Sequence, residues 1–358
     1  MSQIVISSDI IVSGFRAYDL VSGTDVLVQA GVTVQSNLDA MRGSVDDLTL
    51  TVAGNVTGDV GIWTDGSDNL ITVTETGHVS GGLVMRWGPS TLINAGLIEG
   101  GAFLNGFSGG SSSLVNTGEM ISADGVGAQI GVTGYSGPGA GPGSSMLNQG
   151  LISGGTHGLN IGDHASVYVN EGEIRGNTGH GVRMILRSFG AEDEGSTFTN
   201  HGWISSTMGW GFFLDSARQV IVNGAEGVMV GALGAFRSAS SQTTLENHGI
   251  LAGAVEMSGS DNLLVNRGQI MGDVRLGGGG SVFDGQGGTV AGIIDGSGMG
   301  GGLDGRVLIL TGDDDSLVRT GWTDSTVRGG LGDDTIIGRD GHDLLRGGEG
   351  DDSITGGG

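Results

Sequence analysis

The sequence contains no cysteine, no lysine and only 3 prolines among 358 residues, and aromatic residues make up 5% of it. Without cysteine, disulfide bonds are excluded as a source of stability. The hydrophobic content of 37% is small for one compact core, but small aliphatic side chains can fill an elongated one. These absences favour a stacked repeat architecture over a compact globular domain.

Long apolar runs are also missing. No stretch approaches the roughly 18 apolar residues that a membrane-spanning helix needs. The first twenty residues lack a basic region, and Asp9 and Asp19 interrupt their apolar character, so they do not form a cleavable export signal. We therefore expect no membrane span, and export, if it occurs, without a cleavable N-terminal signal.

The charge is strongly negative and unevenly distributed. The formal net charge is −24, and residues 311–358 contain eleven acidic residues against four arginines. Such a surface repels nucleic acid and anionic lipid, because contacts to phosphate need basic side chains. The composition therefore predicts cations as partners and excludes nucleic acid.

Glycine is abundant, with 77 residues, and it belongs to a repeated phrase, Asn-x-Gly-x-apolar-x-(Gly or Ser). Seven copies start with asparagine, at Asn94, Asn116, Asn148, Asn170, Asn200, Asn247 and Asn266. Looser copies, in which the asparagine is replaced, start at Val52, Glu75, Ala225 and Gln286. Most central glycines lie 19 to 25 residues apart, the spacing of single coils in a solenoid.

Short alternating apolar segments follow glycines within each coil, at Gly82, Gly158, Gly181 and Gly211. Alternation with glycine at the corners is typical of strands, and no helical period of comparable length occurs. Each coil is therefore predicted to hold two or three short strands that stack in parallel, with the right-handed crossover that parallel strands favour. The recurring asparagine is expected to stack on itself as a hydrogen-bonded ladder at one corner.

Two coils are longer than the others, because residues 131–145 and 186–197 are inserted. Insertions in a solenoid form loops on its flank, and such loops often bind ligands. These two segments are therefore candidate binding loops or simple solvated loops.

The end of the chain has a nine-residue period. Counted from Gly302, the eighth place is apolar in six successive units: Ile309, Val318, Val327, Ile336, Leu345 and Ile354. The sixth place is an aspartate only in the last three units, at Asp334, Asp343 and Asp352. A solvated acidic surface would not require this phase, so the pattern predicts a site for a cation.

The last three units, which start at Gly329, Gly338 and Gly347, resemble the G-G-x-G-x-D-x-U-x nonapeptide of the RTX, or hemolysin-type, calcium-binding repeat family. The Gly338 unit departs from it, with Arg339 at the second glycine. The resemblance implies a parallel β-roll with two units per turn, and Ca²⁺ held between stacked turns by carbonyls and aspartates. The residues it implicates in metal binding are Gly329, Gly330, Gly332, Asp333, Asp334, Gly341, Asp343, Gly347, Gly348, Gly350, Asp351 and Asp352.

Units eighteen residues apart are then expected to face one another, so Asp334 and Asp352 would complete one calcium site, whereas Asp343 would have only half a site.

The predicted architecture is an all-β, right-handed parallel β-helix over residues 1–301, continuing into a C-terminal RTX β-roll over residues 302–358. Because the chain stops within a repeat, we expect a fragment of a longer protein. The resemblance also implies type I secretion and an extracellular or cell-surface location.

Function beyond calcium binding has three interpretations. In one of them the chain is a modular scaffold that only presents another domain of the longer protein expected above. A non-catalytic adhesin, surface-layer or matrix protein would use the long flank to bind a polysaccharide or cell surface, and its solenoid ends could stack on one another. A polysaccharide lyase or uronate epimerase would need a base and a cation for the substrate carboxylate. Its candidate residues are His157, Asp163, His164, His180 and Arg183. His157 and His180 lie 23 residues apart and equally fit a polar ladder.

Overall fold

The structure is a computed structural model. It describes residues 3–105, 111–131, 143–163, 165–185, 195–277, 279–296, 307–311, 317–320 and 324–357. Most of both insertions, and His164, lie outside these residues. The chain divides into two compact units, Met1–Ser196 and Thr197–Gly358.

In the first unit, the described strands form three parallel sheets, and each coil contributes one strand to each sheet. The first sheet contains Gln3–Ile6, Asp25–Val28, Thr49–Val52, Asn69–Val73, Ser90–Asn94, Ser112–Asn116, Ser145–Asn148 and Val167–Asn170. The second contains Ile10–Ile11, Thr33–Gln35, Asn55–Thr57, His78–Ser80, Leu97–Glu99, Glu119–Ser122, Leu151–Gly154 and Glu173–Gly176. The third contains Tyr18–Asp19, Met41–Ser44, Ile62–Asp65, Leu83–Arg86, Ala102–Asn105, Ala128–Ile130, Leu159–Ile161 and Val182–Ile185.

The second unit begins with the same arrangement of three strands per coil. Its first sheet contains Thr197–Asn200, Val220–Asn223, Thr244–Asn247, Leu263–Asn266, Val282–Asp284, Val307–Leu310, Ser325–Leu331 and Leu344–Glu349. Its second contains Trp203–Ser206, Val228–Gly231, Ile250–Ala252, Gln269–Ile270 and Thr289–Val290. Its third contains Trp210–Asp215, Gly234–Ser238, Val255–Met257, Val274–Leu276, Ile293–Asp295, Leu317–Arg319, Thr335–Ile337 and Ser353–Thr355.

All described strands pair in parallel, and the described residues include no helix, so the predicted all-β parallel solenoid is confirmed. Accordingly, no helix in the described part of the chain is long and apolar enough to cross a membrane. After Thr289–Val290 the second sheet has no further described strand, and each turn consists of two strands. In this region Val307 faces Ser325 and Thr335 faces Ser353, which confirms the predicted stacking of units eighteen residues apart.

The core of each unit is a column of side chains from alternate strand positions. In the first unit, Val26, Leu50 and Ile71 face one another on successive coils and are at most 1% exposed. In the second unit the column includes aromatic rings, and the centroids of Phe198 and Phe212 lie 5.0 Å apart in an edge-to-face arrangement. Alternation therefore separates a dry interior from an outer face on every strand.

The asparagine ladder predicted from the sequence is present in both units. In the first unit, the Asn94 amide donates to Asn116 at 2.8 Å, Asn116 donates to Asn148 at 2.7 Å, and Asn148 donates to Asn170 at 2.7 Å. These four side chains are 0% exposed. Each amide also donates to backbone carbonyls, as Asn116 does to Leu151. The ladder thus satisfies polar groups that burial would otherwise leave without water.

The ladder of the second unit contains a member that the sequence analysis missed. Asn200 donates to Asn223 at 2.8 Å, Asn223 to Asn247 at 2.9 Å, and Asn247 to Asn266 at 2.8 Å. The interpretation of this coil as one whose asparagine is replaced at Ala225 was therefore wrong. Two additional residues separate Asn223 from its glycine, and the turn that they form displaced the motif from the expected phase.

The glycine of the repeated phrase is required by close backbone approach. A Cβ atom at Gly118 would lie 2.2 Å from the carbonyl oxygen of Gly96 on the preceding coil, and one at Gly150 would lie 2.0 Å from that of Gly118. Any side chain at these places would push stacked coils apart. Asparagine and glycine recur together because the same corner needs both the amide and the close contact.

Candidate metal centre

The nonapeptide turns are shaped by glycines with positive φ. Gly330 and Gly332 have φ of 114° and 92°, and Gly348 and Gly350 have φ of 146° and 131°. These residues occupy the second and fourth places of the Gly329 and Gly347 units, where an L side chain would be strained. The sequence motif thus encodes two matching turns that lead from the first sheet to the third.

Asp334 and Asp352 lie at the sixth place of these two turns, on successive layers. The backbone amide of Asp334 donates to Oδ1 of Asp352 at 3.1 Å, and Asp334 is only 1% exposed. The first-place glycines make room for the carboxylates. A Cβ at Gly329 would lie 2.1 Å from Oδ2 of Asp334, and one at Gly347 would lie 1.8 Å from Oδ2 of Asp352.

A second pair of carboxylates occupies the fifth place of the same turns. Oδ1 of Asp333 accepts a hydrogen bond from the Asp351 amide at 2.7 Å, and both side chains are exposed. The two turns therefore hold four aspartates in two vertical columns, and like charges on adjacent strands repel one another. A cation between the turns would remove this repulsion.

The residues of these turns fit calcium by their chemistry. Their side-chain donors are carboxylate oxygens, and the carbonyl oxygen of Gly347 lies 2.6 Å from where a Cβ of Gly329 would be. No cluster of three or more histidine, aspartate or glutamate side chains with metal-binding geometry occurs among the described residues, so carbonyls would have to complete the coordination. Ca²⁺ accepts six to eight oxygens, including carbonyls, at flexible geometry, whereas zinc prefers nitrogen and sulfur.

The turn that returns from the third sheet to the first is different. Oδ1 of Asp343 accepts from the Ser325 amide at 2.9 Å, and Oδ2 accepts from the Thr320 hydroxyl at 2.9 Å. The same hydroxyl accepts from the Arg339 amide at 2.9 Å. Gly341 has φ of 123°, but Arg339 is not in the positive-φ region, so this turn keeps only one of the two glycine conformations.

The eighth-place apolar residues face the interior as predicted, although not uniformly. Ile309, Val318, Val327 and Ile336 are 0% exposed. Leu345 is half-buried and Ile354 is 45% exposed, since both lie on the last described turn and no further layer covers them. Stacking therefore buries these side chains, and the nonapeptides depend on neighbouring layers for their core.

The candidate catalytic residues are brought together only in part. The His157 and His180 rings stack at 5.2 Å, and the His180 amide donates to Nδ1 of His157 at 2.8 Å. Burial, with the charges of His180 and Arg183, lowers the pKa of His157 to about 4. Asp163 follows the end of its strand, Leu159–Ile161, and Ser144 donates a hydrogen bond to its carboxylate. The pKa of Tyr168 is raised mainly by burial and, to a smaller extent, by the negative charge of Asp163.

The sequence analysis missed the roles of Thr311 and Thr320, which replace glycine at the first place of their units. The Thr311 hydroxyl donates to the carbonyl oxygen of Gly329 at 2.5 Å, and Thr320 contacts Asp343 as described above. Both threonines are buried, at 4% and 0% exposure. Threonine in place of the glycine of the motif was the sequence feature that could have indicated these roles.

The second unit thus ends in a parallel β-roll whose turns suit a hard, oxygen-seeking cation. Residues 320–358 match the family model of the RTX calcium-binding nonapeptide repeat, which spans four copies. This segment therefore consists of RTX repeats, and calcium is the cation that such repeats bind. The match begins one unit before the three that the sequence analysis identified, at Thr320. No curated protein is significantly similar to the chain.

Proposed function

We propose that this protein binds Ca²⁺ between its Gly329 and Gly347 turns, through Asp334 and Asp352 and the carbonyls beside them. The observation that carries the proposal is the vertical alignment of the two sixth-place carboxylates, joined by the hydrogen bond from the Asp334 amide to Asp352. Binding would neutralise both columns of aspartates. Its free energy would therefore contribute to the folding of these turns.

We further propose that residues 302–358 form the calcium-dependent β-roll and residues 1–301 the β-helix. The change from three strands to two per turn and the eighteen-residue register from Val307 onward support this division. The roll would fold where calcium is abundant, which favours an extracellular or cell-surface location. Export by a type I route, as in other RTX proteins, is part of the same proposal.

Limited proteolysis with trypsin tests the calcium dependence, because the chain has no lysine and the repeats contain Arg339 and Arg346. We expect cleavage after these arginines to be fast in chelator and slowed about tenfold or more by millimolar Ca²⁺, since ordered strands resist proteases. Mg²⁺ at the same concentration is the control and should protect little, because it prefers octahedral sites and retains water. Equal cleavage rates with Ca²⁺ and with chelator would contradict the proposal.

The role that we favour for the whole chain is non-catalytic, as an adhesin, surface-layer or matrix component that binds extracellular polysaccharide or a cell surface. The candidate base supports catalysis poorly. A pKa of about 4 makes His157 a weak base at neutral pH, and its Nδ1 already accepts the His180 amide. The alternative function, a polysaccharide lyase or uronate epimerase, keeps one supporting observation: the cationic Arg183 lies in the strand Val182–Ile185, three residues after His180.

A screen for release of unsaturated uronates from alginate, pectin and hyaluronan separates these functions, with proton NMR of the polymer to detect epimerisation. We expect no reaction and measurable glycan or cell binding. Activity that is lost in His180→Ala would instead establish the enzyme.

We also propose that copies of the chain associate end to end. The first coil exposes Ile4, Val5, Ile11 and Phe15, the last by 75%. Exposed apolar groups on a terminal coil favour association with another β-rich surface. Analytical sedimentation of the wild type and of Ile11→Ser/Phe15→Ser tests this proposal, over a protein concentration range of about a hundredfold so that weak association is detected. Monomeric behaviour of both proteins at all concentrations would contradict it.

A further inference from the structure

We propose that the β-roll has two unlike edges and that Thr320 and Asp343 close one of them without a cation. The cation edge comprises residues 329–334 and 347–352. The closed edge comprises Thr320, Asp324, Ser325 and residues 338–343. The inference rests on the proposed calcium site and assigns it to the cation edge alone.

Hydrogen bonds occupy the carboxylate of the closed edge. Oδ1 of Asp343 accepts from the Ser325 amide and Oδ2 accepts from the Thr320 hydroxyl, both at 2.9 Å. The hydroxyl lies inside the protein, since Thr320 is 0% exposed, and it also accepts from the Arg339 amide. These hydrogen bonds supply donors to both oxygens of the Asp343 carboxylate, a role that a bound cation would otherwise fill.

The charges along the two edges support the same distinction between them. On the cation edge, Asp333 lies below Asp351 and Asp334 lies below Asp352, so both columns pair like charges. On the closed edge, Ser325 takes the place of an aspartate below Asp343, and Asp324 lies beside His342 with Oδ1 and Nδ1 3.5 Å apart. Only the cation edge therefore needs a positive ion to offset repulsion between layers.

The β-helix already uses the hydrogen bond found at Asp343. Immediately before the first-sheet strands, or at their first residue, the amide of one coil donates to a side-chain oxygen of the next. In the first unit these bonds run from Ser112 to Ser144, from Ser144 to Ser166 and from Ser166 to Ser196, at 2.9 to 3.1 Å. In the second unit Thr243 donates to Asn262 in the same way. Asp343 therefore continues a structural column.

The cation edge has a different counterpart in the β-helix. In the first unit, the residue before the third-sheet strand is a glycine in six successive coils: Gly61, Gly82, Gly101, Gly127, Gly158 and Gly181. At the corresponding place in the nonapeptides stand Asp334 and Asp352. In the second unit Asp273 also stands before a third-sheet strand, and its Oδ1 accepts from the Ile293 amide of the next coil at 3.0 Å. Asp334 and Asp352 differ from Asp273 because they stack on each other on successive layers, which a cation between the turns would stabilise.

Thr311 provides a second example of closure by threonine. It lies eighteen residues before Gly329, and its hydroxyl donates to the Gly329 carbonyl at 2.5 Å. Where the first place of a unit is threonine, a hydroxyl thus joins that turn to the next layer. Where it is glycine, in the Gly329 and Gly347 units, the space is occupied by a carboxylate.

The consequence is an order of folding. The closed edge forms without calcium and holds stacked strands in register: Ser325–Leu331 with Leu344–Glu349, and Leu317–Arg319 with Thr335–Ile337. Calcium then orders the remaining edge on this template, so that one ion per pair of layers is sufficient. Thr320 in this way determines how many cations the described repeats bind.

Amide hydrogen exchange in chelator and in Ca²⁺, followed residue by residue by NMR, tests the inference. In chelator, we expect the amides of Ser325 and Arg339 to exchange about tenfold or more slowly relative to that of Asp334. Added Ca²⁺ should slow Asp334 and change the other two less than about twofold. Thr320→Val should abolish the protection of Arg339. The control Thr326→Val, in the strand Ser325–Leu331 and with a partly exposed side chain, should retain it.

Calorimetry of Asp343→Asn and Asp352→Asn provides the second measurement. Asp343→Asn should retain the calcium stoichiometry of the wild type, and Asp352→Asn should lose binding. The inference is overturned if Asp343→Asn also loses calcium, or if Ser325 and Arg339 become protected only when calcium is added. A wild type that binds no calcium would instead refute the proposed function, and the exchange rates in chelator would still decide whether the edge is closed.

Discussion

At the scale of single residues, the buried asparagines are the groups whose loss should matter most. Asn116 is 0% exposed, donates to Asn148 and Leu151, and accepts from Asn94. Asn116→Ala would leave these partners buried without hydrogen bonds, so we expect unfolding to require about 3 kcal/mol less free energy.

The urea midpoint of Asn116→Ala measures this loss. Asn177→Ala is the matched control, because Asn177 is exposed and outside the ladder, and its midpoint should stay close to that of the wild type. Equal midpoints for the two variants would show that the ladder contributes little.

His157 should make stability depend on pH. Its pKa falls from an ordinary value near 6.5 to about 4 because the ring is buried beside His180 and Arg183. The unfolded chain therefore binds a proton more readily, so the stability present above pH 6.5 declines as the pH falls towards 4. The ring is partly exposed, and screening limits the loss to about 1 kcal/mol.

His157→Asn should remove this part of the decline, because its Oδ1 can still accept the His180 amide but does not titrate. Urea midpoints at pH 7.5 and pH 4.5 for both proteins give the comparison. A decline of the same size in the variant would contradict the assignment.

At the scale of strands and coils, the close approach of glycines sets the distance between layers. A Cβ at Gly118 would meet the carbonyl of Gly96 at 2.2 Å, so Gly118→Ala should force stacked strands apart and cost about 2 kcal/mol. Gly356→Ala is the control, since nothing lies within 4 Å of its added atom. Thermal unfolding should distinguish the two, and an unchanged transition in Gly118→Ala would refute the packing argument.

The coils were predictable where one residue type recurs in phase. The seven asparagines, the apolar eighth places and the eighteen-residue register all have this property, because stacked layers repeat the same local requirement. Asn223 was missed because two extra residues shifted it. The role of Thr320 was hidden because its partner Asp343 lies 23 residues away and belongs to another turn.

Outward-facing charges were not predictable at this scale. Glu256 lies between Arg237 and Arg275 on the third sheet, at 3.8 Å and 2.8 Å, and together they form a column of alternating charge. In the sequence these residues are about twenty positions apart, and single surface charges carry no periodic signal of their own. The position of Asp163 after the end of its strand was likewise not predictable, because spacing fixes the coil but not the direction of a side chain beyond a strand.

At the scale of the whole chain, the net charge of −24 and the acidic repeats favour cations as partners. In the function that we propose, carboxylates stacked on successive layers would oppose folding until a cation binds, and the formation of the nonapeptide turns would depend on a calcium-rich environment. In the β-helix coils that the structure describes, no two stacked aspartates precede third-sheet strands, and hydroxyls and amides join successive coils instead.

Calcium titration by calorimetry, with circular dichroism in parallel, tests the central claim most directly. The proteins are the wild type, Asp334→Asn/Asp352→Asn, and the control Asp340→Asn/Glu349→Gln, which removes the same charge from exposed third places of the repeats. We predict about one ion bound by the wild type and the control, and none by the first variant. Equal binding by all three proteins would contradict the assignment of calcium to the Gly329 and Gly347 turns.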